Sequence, residues 1–135
     1  MKTGIFCIGN NVFDTLLAIS EDEQARGLMH IDPPAPNMAF VYQHPQINQF
    51  WMSNTKMPLD IIFCHNGKVS QICKGEPYST QIIGDHKLSD LVIELPYGTA
   101  QNIGIKLGNK VELVKPTHEE LKTIIAQNRW QIKKF

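Results

Sequence analysis

Asn66-Gly67 lies between two runs of β-formers, Ile61-Ile62-Phe63-Cys64-His65 and Lys68-Val69-Ser70-Gln71-Ile72-Cys73, and this feature restricts the fold more than any other. The dipeptide accepts the positive φ values of a tight type I′ turn, whose twist matches paired strands. The pattern predicts a hairpin with strands near 60–65 and 68–74. A chain built around such a hairpin has to bury it against more strands or a helix, because two strands alone are marginal in water.

Further strands follow from alternation and β-rich composition. A short first strand precedes Gly9-Asn10-Asn11, and others are expected at 16–19, 38–42, 49–52, 91–95 and 111–114. Val92 and Glu94 alternate onto one strand face. Asp32-Pro33-Pro34-Ala35-Pro36-Asn37 reads as a loop, since proline neither donates to a ladder nor continues a helix. Helices are few. Ser20 and Glu23 form a capping-box pattern that opens a helix over 21–29, and Thr99 is expected to cap a single turn ended by Gly104. Thr117 and Glu120 repeat the pattern and open a helix over 117–129 with a narrow apolar stripe.

Short strands separated by turns, with isolated helices, define the expected class. It is mainly β: a compact β-sandwich or small barrel of about 7–8 strands with two or three short helices, including a C-terminal helix. The division is a β-domain over 1–114 and a C-terminal helical extension over 115–135. In that extension Lys115, Lys122, Arg129, Lys133 and Lys134 stand against Glu119 and Glu120, five against two, a net +3.

Composition excludes several roles. Thirteen Lys+Arg balance thirteen Asp+Glu, so the chain lacks the basic excess that binds nucleic acid by charge. No apolar run reaches the roughly 18 residues of a membrane helix. The N-terminal apolar run is too short for a secretory signal, which places the expected site of residence in the cytosol. Three cysteines without a secretory signal argue against a disulfide framework; Cys64 and Cys73, on adjacent predicted strands, could face each other but read as reduced. The five histidines show no metal-ligand spacing, and Walker, dinucleotide and nucleophile-elbow motifs are missing. The sequence therefore assigns no metal, no cofactor and no catalytic residue. Met29, Met38, Met52 and Met57 read as core filler.

The densest stretch of unusual residues is Phe50-Trp51-Met52-Ser53-Asn54-Thr55-Lys56-Met57-Pro58-Leu59-Asp60-Ile61-Ile62-Phe63. With Arg26-Gly27-Leu28-Met29 upstream and Leu91-Val92-Ile93-Glu94-Leu95-Pro96-Tyr97-Gly98 downstream, it resembles the prokaryotic family called domain of unknown function 192, over about residues 16–114. The chain departs from that family's pattern at Asn37-Met38-Ala39-Phe40, where the family has Gly-Met-Leu-Phe, and at Gly108-Asn109, where it has Gly-Asp. The missing acid at 109 weakens any metal or acid role there. The resemblance implies a compact β-sandwich or barrel and carries over no catalytic residue.

Two physical readings compete for the motif. Asn54-Thr55 can be a turn, held by side-chain bonds to nearby backbone, with Asp60 accepting backbone N–H groups. Alternatively Trp51 is a stacking platform, and Asn54, Thr55 and Asp60 bind a small polar ligand such as a carbohydrate. Glu94 is expected either to pair ionically with Arg26 or to work with Asp60 as a carboxylate pair. The functional expectation is thus a non-enzymatic β-domain binding a polar small molecule at the Trp51–Asp60 face through Trp51, Asn54, Thr55, Asp60, Glu94 and Arg26. A second reading is an assembly module of a larger particle, including a virion, docking on a partner or a second copy through 117–135 with Trp130 and Phe135. A third is a carboxylate-dependent hydrolase.

Overall fold

A computed structural model describes residues 1–133, with side chains described through residue 127. The Trp130 side chain and Phe135, part of the expected docking tail, lie outside the described residues.

The strands are β1 (Lys2–Ile8), β2 (Asn11–Ala18), β3 (Met38–Ile47), β4 (Leu59–His65), β5 (Lys68–Gly75), β6 (Leu88–Pro96) and β7 (Val111–Lys115). They form one seven-stranded sheet in the order β5-β4-β6-β3-β2-β1-β7. Only β2 and β3 pair in parallel. Of the two architectures expected, the molecule adopts a single curled sheet, a half-barrel, instead of two facing sheets. The curl brings its edges together at one end. Val69 N–H donates to Asn109 O at 2.9 Å, and Val111 N–H donates to Gly67 O at 2.8 Å. Edge groups that would otherwise face water are thereby partly satisfied.

The Asn66-Gly67 hairpin forms as expected, with positive φ at both residues and Leu59–His65 paired to Lys68–Gly75. The register sets Ile61 opposite Cys73 and Cys64 opposite Val69, so the two cysteines do not face each other; all three cysteines are free. The expected strand over 49–52 does not join the sheet. Phe50 instead forms an isolated bridge with Ile83. Its ring packs edge-on against Phe40 and Phe63, at centroid distances of 5.0 and 5.7 Å, which fixes it as a cover over the sheet.

Helix α1 (Glu21–Arg26) starts at the Ser20–Glu23 capping box and stops at Gly27, three residues short of the expected end. Gly27 takes φ 51°, ψ −128°, which breaks the helix. Helix α2 (Thr99–Ile103) is not capped by Thr99, whose hydroxyl donates to Pro96 O at 2.6 Å. Helix α3 (His118–Lys133) opens at Thr117, whose hydroxyl accepts from Glu120 N–H at 3.2 Å. Leu121 is buried and Ile125 packs against the core, so this part of the extension lies on its own domain.

The sheet is buried on both faces. The inner face carries Phe6, Ile8, Leu17, Val41, Ile62, Ile93 and Leu95, closed by Ala100, Ile105 and Leu121. The outer face carries Met38, Phe40, Leu59, Ile61, Phe63 and Val92, covered by Leu28, Met52 and Met57. This explains why β4 reads as a continuous apolar run. Met38, Met52 and Met57 fill this layer, as the sequence suggests. No helix among the described residues is long and apolar enough to cross a membrane.

Candidate functional site

The candidate face lies on the outer layer, where the chain after α1 and the Phe50–Thr55 segment cross the sheet. Thr55 N–H donates to Met52 O at 3.0 Å, closing a turn around Ser53-Asn54, and Asn54 takes φ 56°. Asn54 O accepts from His30 N–H at 2.8 Å, which ties this turn to the chain leaving α1. Between the two segments opens a cavity of about 370 Å³. That size falls within the roughly 300–1,000 Å³ of small-molecule pockets.

Trp51, Thr55, Glu94 and Arg26 border this cavity together. Trp51 is half exposed (50%), so its indole stands beside the opening and not inside the core. Thr55 is buried, and its hydroxyl donates to Ser53 O at 3.3 Å. Phe40, Tyr42 and Phe50 supply aromatic walls. Gln24, Gln46 and Asn48 are polar lining residues that the sequence did not single out. Alternation marks Phe40 as sheet-facing, but no local pattern marks Gln24 or Asn48.

Asn54 and Asp60 are not part of the cavity lining. Asn54 is exposed and serves the turn through its backbone. Asp60 is buried, and its Oδ2 accepts from Ala100 N–H at 2.9 Å, supplying the cap for α2 that Thr99 does not provide. Ile61 lies opposite Glu94, so Asp60 and Glu94 belong to opposite faces of the sheet. The expected carboxylate pair is therefore absent.

The expected Arg26–Glu94 ion pair is also absent. Arg26 is exposed at the cavity mouth, and no described acid pairs with it. Glu94 is 5% exposed, and its side chain makes no hydrogen bond or ion pair among the described residues. Burial alone pushes its carboxyl up to about 8, so it carries a proton at neutral pH. Burial, and then the nearby Glu94, push the Tyr42 hydroxyl up as well.

Asn109, where the resembled family has Asp, closes a local turn: its Oδ1 accepts from Lys106 N–H at 2.8 Å. An amide oxygen can accept this bond as a carboxylate can. No group of three or more His, Cys, Asp and Glu among the described residues is arranged to hold a metal ion.

A second, larger cavity of about 1040 Å³ lies between α3 and the inner end of the sheet, bordered by His44, Asp90, Glu112 and His118. None of the six candidate residues lines it. Cys64 borders it, but burial raises its thiol to about 12, so it is not an activated nucleophile.

Comparison with known proteins identifies the family and the fold. The model of domain of unknown function 192, described as "Uncharacterized ACR", matches residues 5–113, which extends the resemblance back into β1. A protein of unknown function from Novosphingobium aromaticivorans DSM 12444 has a similar structure. It is 33% identical, with 82% of this chain and 84% of that chain covered and a TM-score of 0.77. A "putative transcription regulator" from Sinorhizobium meliloti 1021 is 26% identical, with 83% of this chain and 94% of that chain covered and a TM-score of 0.76. No curated protein matches the chain at a significant level. The chain belongs to the domain of unknown function 192 family.

Proposed function

We propose that the protein is a small β-domain that binds a polar small molecule in the cavity beneath Trp51. One observation carries this reading: a buried carboxyl without a partner, Glu94, shares a concavity with a half-exposed indole. A carboxyl held largely out of water without a protein partner is costly to the fold, and a ligand is one way to offset that cost. The aromatic ring offers a flat apolar platform beside it.

The other readings fit less well. A hydrolase of the two-carboxylate kind needs Asp60 near Glu94, and these side chains lie on opposite sheet faces. An assembly module docking through 117–135 has to work without Leu121 and Ile125, which are engaged on their own domain. A regulator reading nucleic acid by charge has no basic excess to use.

The test is amide NMR of the full chain against a library of polar metabolites. Binding at this site shifts the amides of residues 26–29, 50–55 and 94 together. Shifts confined to the larger cavity under α3, or no shifts with any compound, overturn the reading.

A further inference from the structure

We propose that the ligand of the Trp51 cavity is a small organic ammonium ion, its charged group meeting Glu94 and its apolar body lying against the aromatic walls. This deepens the binding reading above and rests on it.

The polarity of the lining points to a hydrogen-bond donor. Gln24 Nε2 already donates to Ala18 O at 3.1 Å and Val41 O at 2.9 Å. Gln46 Nε2 donates to Asn48 Oδ1 at 2.9 Å, and Asn48 Nδ2 donates to Ser89 Oγ at 2.7 Å and Ser89 O at 3.0 Å. The Thr55 hydroxyl donates to Ser53 O. The Gln24 and Asn48 amide donors are thus engaged within the protein, while the Gln24 and Gln46 amide oxygens and the Glu94 carboxyl keep unused acceptor capacity; the donors of the lining without a partner among the described residues include those of the exposed Gln49 and Arg26 and the Tyr42 hydroxyl. An ammonium group needs acceptors only.

The walls favour the same chemistry. Phe40, Phe50 and Trp51 present ring surfaces in the same lining, and a cation is attracted to the face of an aromatic ring. A buried carboxyl gains more from a cation than from a hydroxyl, because the bond is charge-assisted and the burial penalty on the anion is relieved. Arg26 stands at the mouth, where solvent screens it, and so opposes entry less than Glu94 favours the bound ion.

Binding is therefore coupled to a proton. The free carboxyl is protonated below about pH 8, and it must ionise to meet the cation. The titratable groups that line the cavity beside it are Arg26 from α1 and Tyr42 from β3; Ile61 of β4 and the Asn48–Trp51 segment add none. Burial pushes the Tyr42 hydroxyl up, away from this range, so the coupling belongs to Glu94.

The experiment titrates the full chain, carrying Trp130→Phe so that Trp51 is its sole tryptophan. The probes are butyl-, isopentyl- and phenethylammonium, the alcohols of matching shape, and glucose, followed by fluorescence and by calorimetry in two buffers of different ionisation enthalpy. The expected result is quenching by the ammonium ions at least tenfold more readily than by the alcohols, with close to one proton released per ligand at pH 7. Affinity rises about tenfold between pH 6 and 7 and levels off above 8. Glu94→Gln abolishes the proton release and weakens ammonium binding at least tenfold while circular dichroism stays unchanged. Equal binding of alcohols or glucose without proton release overturns the ammonium assignment but leaves the ligand site standing. No binding of any probe, together with a silent metabolite screen, removes both.

Discussion

Glu94→Gln should stabilise the protein, and by an amount that depends on pH. The Glu94 carboxyl ionises near 4.5 in an unfolded chain and near 8 in the fold. Between those values the folded state holds a proton that the unfolded state has released. Stability therefore falls as pH rises through this window, at up to about 1.4 kcal/mol per pH unit. The loss accumulates to roughly 3 kcal/mol at pH 7 and levels off above pH 8. Glutamine keeps the shape and removes the titration, and every other group is common to both proteins. The two should thus be close in stability at pH 4.5 and differ by about 3 kcal/mol at pH 7. Urea denaturation at half-unit steps from pH 4.5 to 9 measures the difference directly. Water entering the cavity would reduce the amplitude without changing the sign. Parallel stability curves would refute the reasoning, since they would mean that Glu94 ionises in the fold as easily as outside it.

Three further substitutions separate structure from binding. Asp60→Ala leaves the Ala100 N–H without its acceptor and should cost about 1–3 kcal/mol in denaturation, while ligand-induced amide shifts around Trp51 stay unchanged. Gly27→Ala places a Cβ 3.4 Å from the Phe40 ring at a φ of +51°. It should cost about 1–3 kcal/mol and weaken ligand quenching of Trp51, because Gly27 and Phe40 both line the cavity. Leu121→Ala should cost about 2 kcal/mol by urea denaturation if α3 is docked as described, and almost nothing if it is free.

The parts of the fold governed by local rules were legible. Asn66-Gly67 needs positive φ at both residues, and few residue pairs tolerate that, so the hairpin could be read directly. The capping boxes at Ser20 and Thr117 are reciprocal bonds within four residues and were equally readable. The segment over 49–52 has genuine β propensity yet forms no strand of the sheet. Tertiary packing decided otherwise: the Phe50 ring fits between Phe40 and Phe63, and its backbone bonds to Ile83. At the site, Glu94 on the Val92 face was readable from alternation alone. The absence of an Arg26 partner was not, because it depends on where α1 ends relative to β6. That end is set by the unusual backbone angles of Gly27, which residue type permits but does not dictate.

Asp60 and Glu94 show why a buried acid cannot be interpreted from its sequence neighbours. Both interrupt apolar runs, both are nearly inaccessible, and they stand on adjacent antiparallel strands. A displacement of one residue in register separates their fates. On the inner face Asp60 meets the first turn of α2, where a backbone N–H lacks an intrahelical partner, and its oxygen accepts that hydrogen bond. On the outer face Glu94 borders a cavity shared with aromatic rings and amide side chains, and no hydrogen bond reaches its carboxyl. The first acid contributes to stability by making a bond the helix needs. The second subtracts from stability at neutral pH, and the fold tolerates it because the carboxyl keeps its proton. A group that the free protein would be more stable without is better explained by an encounter with something outside the chain than by packing, and this asymmetry makes the Trp51 cavity the place to look for it.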